Sequence, residues 1–174
     1  AAPIIAKGLQ LKNDFLPLKA SIVPHAPYSV AADLLNAIAL HTQSDDILSI
    51  HNQETLAENE FFEKGSGGFF DFLGAANLLN AALKFGKSSI HYHVSELPKQ
   101  VNTLLVHNTF SSKADIAFAQ QLHPNLYWCL CPSANLYIEN TLPANHLLQD
   151  ESLHITLGTD SLASNHQLSI LAEM

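Results

Sequence analysis

Short apolar runs alternate along this chain with stretches whose apolar residues recur at helical spacing. The runs are Ser21-Ile22-Val23, Ile47-Leu48-Ser49-Ile50, Thr103-Leu104-Leu105-Val106, Leu126 to Leu130 and His154-Ile155-Thr156-Leu157, and each predicts a strand. Between the first two, Ser29 is placed to cap a helix running to about His41, with Leu34, Leu35, Ile38 and Ala39 on one face. A longer helical stretch breaks at Gly65, Gly67 and Gly68 and resumes from Phe69 to Phe85, where Leu73, Ala76, Leu79 and Leu83 share a face. Lys113 to Leu122 and Pro143 to Leu148 predict further helices, and the apolar run ending at Met174 opens another.

Near-continuous apolar strands alternating with helices predict an α/β fold, a parallel sheet covered by helices. In such folds the C-terminal ends of the strands carry the chemistry. Four of the runs close on side chains able to do it: His25, His51, His107 and Asp160. Five strands in sequence would bring several of these to one point.

Composition confirms a core-forming domain, with 47% of the 174 residues hydrophobic and 14% charged, which excludes disorder. Charge narrows the partners. All eight basic residues are lysine, against sixteen acidic ones and a net charge of -8, so no arginine forks onto phosphate or guanine and no nucleic-acid partner is expected. No apolar stretch approaches the ~18–20 residues of a membrane span, and the N-terminus lacks the order of a signal peptide. The expectation is a cytoplasmic protein without membrane contact, acting on a small-molecule substrate. Cys129 and Cys131 stand too close together for a disulfide framework and read as core thiols.

Three histidines and an aspartate at one end of a sheet are ligand types that suit zinc or iron. Such a metal brings the pKa of bound water to ~7. Glu54, three residues after His51, is placed to move a proton in the same pocket. Any one of these residues could equally be a hydrogen-bonded structural group.

His51-Asn52-Gln53-Glu54, Leu105-Val106-His107-Asn108 and Thr156 through Asn165, in that order, resemble the strand-five, strand-six and strand-eight motifs of the amidohydrolase superfamily, and Pro24 to Ser29 resembles its strand-four motif. The resemblance covers nearly the whole chain and falls in the cytosine-deaminase-like and chlorohydrolase-like branch. The Phe- and Gly-rich insertion between Glu54 and Val101 is most similar to that of aminodeoxyfutalosine deaminases. The resemblance implies a partial TIM-like (β/α) barrel, about strands 4 to 8 with outer helices, forming a single partial domain over residues 1–174. It also implies a metal-dependent hydrolase of a C–N bond in a small cyclic or nucleoside-like substrate, most simply a deaminase using metal-activated hydroxide. The implied roles are metal ligation by His51 and Asp160, with Asp160 also taking a proton from the attacking water. Glu54 would protonate the substrate ring, His107 would stabilise the tetrahedral intermediate, and His25 would contact substrate. The implied cofactor is a divalent metal, zinc before iron.

One departure stands out. The family's strand-one His-x-His pair does not precede His25 here. His91-Tyr92-His93 has the spelling but lies in the insertion, off any strand end, where histidines two apart on a helix face different ways. Gly65-Ser66-Gly67-Gly68 lacks the Lys-Ser/Thr of a phosphate loop. The cluster of Phe61, Phe62, Phe69, Phe70 and Phe72 is either core or the lining of a substrate cavity. The chain opens on Ala1 and carries its one methionine, Met174, at the end, so it reads as cut at both ends. Two readings remain: part of a metal-dependent deaminase, or a catalytically silent barrel fragment or binding module with an incomplete metal site. An open barrel exposes strand edges, so a homo-oligomer or association with a missing N-terminal part is expected.

Overall fold

Four parallel strands, β1 (Ile47–Asn52), β2 (Asn102–His107), β3 (Leu126–Leu130) and β4 (His154–Leu157), lie side by side in chain order in the computed structural model. The structure describes residues 1–79 and 83–174. Ile47 pairs with Asn102 and Asn52 with His107, Thr103 pairs with Leu126, and Leu130 with Leu157. This register brings the C-terminal ends of all four strands level, so the residues just beyond each strand share one rim.

Alternation along the strands divides the sheet into two faces. Ile50, Leu105, Leu126 and Trp128 point to the helices and form the main core with Leu35, Ile116, Ala119 and Leu147. Leu104, Val106 and Cys129 point the other way, with Cys131 and Ala134. Helices α1 (Ala2–Asp14), α2 (Ala32–His41), α3 (Leu56–Lys64), α4 (Gly68–Ala75) and α5 (Lys113–Leu122) precede β3 in the chain, and α6 (Pro132–Glu139), α7 (Asn145–Gln149) and α8 (Ile170–Glu173) come after it. A 3-10 turn spans Ser89–Tyr92. No described helix is long and apolar enough to cross a membrane.

Several elements differ from the expectation. Ser21-Ile22-Val23 forms no strand; its neighbourhood makes one sheet-like bond, from the His51 N–H to the His25 carbonyl at 2.9 Å. Pro24 comes at once after it and has no N–H to continue a ladder. Ser29 does not cap α2, whose N-cap is Ala31; its hydroxyl lies instead 2.8 Å from His25 Nδ1 and donates to the Ala26 carbonyl. The helix expected over Phe69 to Phe85 ends at Ala75, just before Asn77 turns left-handed with φ 54°, and its continuation over 80–82 lies outside the described residues. The helix expected at Pro143 to Leu148 covers Asn145–Gln149. By contrast, α5 is where its pattern put it, held by a capping box between Ser112 and Asp115.

Candidate active site

At the rim, the chain turns left-handed at or after three of the four strands, β1, β2 and β4. Gln53, His107, Asn108 and Asp160 all have positive φ, at 47°, 78°, 58° and 54°, a conformation non-glycine residues adopt at a cost. These turns swing side chains inward over the ends of the sheet.

The five residues singled out in the sequence meet there. The His25 and His51 rings pack edge to face with centroids 4.9 Å apart, and His51 stacks on His107 at 5.3 Å. Glu54 Oε1 lies 3.5 Å from His107 Nε2. Ligand-capable atoms of His51, His107 and Asp160 all fall within 4.8 Å of one another. His51 Nδ1 and His107 Nε2 are buried with no hydrogen-bond partner among the described residues. Burial, aided by the nearby His107, pushes the His51 pKa down, so the ring stays neutral and keeps a lone pair to donate. Unpartnered imidazole nitrogens facing a carboxylate are the donor set of a divalent transition metal, and these residues fit one.

Other residues at the rim had no local signal. Asn135, at the start of α6, sits 2.9 Å from His107 Nδ1 through its Oδ1; the ring N–H donates there, which turns Nε2 toward Glu54. Asp160 accepts from the Ser164 hydroxyl four residues on. Gln53 is fully buried: its Nε2 donates to Asp115 at 3.2 Å, its Oε1 accepts from Ser111 at 2.6 Å, and its carbonyl accepts from the Phe110 N–H at 3.1 Å. Asn52 donates to Asn108 at 3.0 Å, tying the turns after β1 and β2 together. A buried polar side chain is recognisable only once its partners from distant segments are in place.

His91 and His93 lie elsewhere. His91 Nε2 is 3.6 Å from Asp115, and His93 is buried with Nδ1 beside the Ser89 carbonyl, its pKa pushed down to about 4 by burial. The phenylalanine cluster divides between core and the wall of a cavity. Phe61 and Phe62 are core, while Phe69 and Phe72 help line an apolar cavity of about 710 Å³ beside Tyr28. Tyr28 stacks on Phe69 at 4.4 Å, and burial raises its pKa to about 12.

Comparison with known proteins places this arrangement. Residues 4–174 match the model of the amidohydrolase family. An adenosine deaminase of Helicobacter pylori is 31% identical over 171 residues, 97% of this chain and 41% of that protein. An aminodeoxyfutalosine deaminase of Nitratiruptor sp. is 29% identical, over 94% of this chain and 38% of its own length. The solved structure of Helicobacter pylori aminofutalosine deaminase in complex with methylthio-coformycin superposes with a TM-score of 0.82 at 27% identity, covering 98% of this chain and 42% of that one. The chain thus spans about two-fifths of the length of these relatives.

Proposed function

We propose a function from the fact that the chain belongs to the amidohydrolase family: it forms part of a hydrolytic deaminase that acts on the exocyclic amine of a purine-nucleoside-like substrate. The carrying observation is the meeting of His51, His107 and Asp160 within 4.8 Å, with Glu54 against His107. The fold is α/β, the part of a TIM-like barrel that holds these strand ends, in a single partial domain.

His51 and Asp160 would hold a divalent metal, zinc in the first instance, with two further imidazoles supplied from outside these 174 residues. When bound, the metal supplies a hydroxide nucleophile at neutral pH. Asp160 takes the proton that the attacking water gives up. Glu54 delivers a proton to the ring nitrogen beside the attacked carbon, so that the electron pair of the C=N bond has somewhere to go. His107, steered by Asn135, stands beside the oxygen and stabilises it as the carbon becomes tetrahedral. Collapse of that carbon expels the amine, which leaves as ammonia with the proton Asp160 held, while the hydroxyl proton on the new carbonyl oxygen passes to Glu54 and restores it. His25, exposed at the edge of the rim, contacts the substrate.

The test is ammonia release by the complete, metal-loaded protein against a panel of adenosine-type nucleosides. Turnover of at least one is expected, and none with any aminopurine nucleoside overturns the reading. Of the side chains that converge among the described residues, only His51 and Asp160 fall to the metal, two short of a tetrahedral set, so the 174-residue chain alone is expected to be silent.

A further inference from the structure

Glu54 has a demanding position, and among the described residues no hydrogen bond fixes its carboxylate. Its one described contact is His107 Nε2 at 3.5 Å, too long for a strong hydrogen bond. Its direction must come from its backbone, and the backbone there is held by another glutamate. Glu58, in the first turn of α3, is fully buried. One of its oxygens accepts the Gln53 N–H at 3.0 Å and the other accepts the Glu54 N–H at 3.2 Å. The Glu58 N–H is in turn held by Thr55 Oγ1 at 3.1 Å, the N-cap of the helix.

This is not the usual capping box, in which the glutamate reaches back to the N-cap N–H alone. Glu58 reaches past the cap to the two residues before it, one of which, Gln53, has the left-handed φ that sets the turn. Burying a carboxylate costs several kcal/mol unless fixed donors meet it, and here the donors are the two N–H groups of the turn that carries Glu54.

We propose that Glu58 is a positioning residue for the deamination: its buried carboxylate fixes the Gln53–Glu54 turn and so aims the Glu54 carboxyl at His107 and the substrate ring. The role rests on the deaminase reading for its kinetic consequence but not for its structural one. Glu58 touches no reacting atom. A displacement of Glu54 by about 1 Å is enough to slow proton delivery by about 100-fold.

The test uses the complete metal-loaded protein with Glu58→Gln, Glu54→Gln and the double variant. Glu58→Gln keeps size and one acceptor oxygen but turns an amide N–H onto one of the two backbone donors. It is expected to lower kcat about 10- to 100-fold with KM changed less than about threefold and metal content unchanged. If Glu58 acts through Glu54, the double variant is no slower than Glu54→Gln; losses that multiply mean a general structural role and overturn the proposal. A crystal structure of Glu58→Gln decides it without turnover. Glu54 swung away from His107 supports the proposal, and Glu54 unmoved overturns it, even should the wild type release no ammonia from any nucleoside. That last result would sink the deaminase reading alone.

Discussion

The turn after β1 and the turn after β4 bear matching burdens at the rim, since each presents a carboxylate beside an imidazole from a left-handed turn, yet they are held in opposite ways. The β1 turn is fixed largely from afar. Besides Glu58, five residues on in α3, Gln53 is locked by Phe110 and Ser111 from the segment between β2 and α5 and by Asp115 of α5. The β4 turn is fixed by its own neighbours: Asp160 by Ser164, the Thr159 carbonyl by Asn165 at 2.7 Å, and the Ser164 N–H by the Ser161 carbonyl. Its strand is correspondingly half-exposed where β1 alternates between buried and open positions. A turn held locally forms wherever its strand goes, whereas one held by distant segments reports whether those segments have docked.

The largest effect tests what the two turns share. Asp160→Asn in the complete protein should lower ammonia release about 1000-fold or more, because an amide cannot take the proton from water, while circular dichroism stays unchanged because the amide oxygen can still accept from Ser164. Near-normal turnover would remove Asp160 from proton handling.

Next come the substitutions that set the turns against each other. Gln53→Ala removes a fully buried side chain and strips partners from Ser111 and Asp115, for an expected loss of about 3 kcal/mol by urea denaturation. Gly158→Ala is expected to cost about 2 kcal/mol, since a Cβ there would stand 3.0 Å from Cys129 Sγ and 3.1 Å from Cys131 Sγ, inside a packed cluster. Ser164→Ala removes the hydroxyl's contacts with Asp160 and the Ser161 carbonyl, both within one loop, and should cost about 1 kcal/mol. Should Ser164→Ala prove as costly as Gln53→Ala, the contrast between a remote and a local clamp fails.

Legibility in the sequence divides the same way. β1 to β4 could be read because each is an apolar run of its own, and α5 because Ser112 and Asp115 mark its start. His51, His107 and Asp160 were legible by their place at the ends of those runs. The first expected strand failed at Pro24, whose missing N–H outweighs the apolar pattern before it. α6 went unread because Pro132, coming straight after a strand, looks like a stop, although proline is equally at home in the first turn of a helix. α1 was hidden because Ile5 is its one buried residue, while Ile4 and Leu11 face outward, so its sequence carries no clean stripe. Gln53 and Asn135 had no signal at all: each is a buried polar side chain satisfied from far along the chain, and no local period records that. Glu58 and Asp115 stand three positions after the caps Thr55 and Ser112, a local pattern that marks a helix start but not their bonds to Gln53.

The smallest effect is a slope. Burial pushes Glu58 up to about 7 from an ordinary value of 4.5, so between those pH values the folded protein keeps a proton that the unfolded chain has released. The stability this group contributes is therefore complete below about 4.5 and is lost as pH rises through about 7. Burial moves His51, His91, His93 and His123 the other way, and their contribution is lost as pH falls. The opposed slopes blur each other in the wild type. In the difference between wild type and Glu58→Gln the histidines cancel, leaving a decline with rising pH of at most about 1.4 kcal/mol per unit. Ser164→Ala, at the locally held turn, should show no such decline against wild type. A flat difference curve for Glu58→Gln as well would mean that the Glu58 carboxylate is not desolvated in the fold, and the β1 turn would then lose the anchor that sets it apart from the β4 turn.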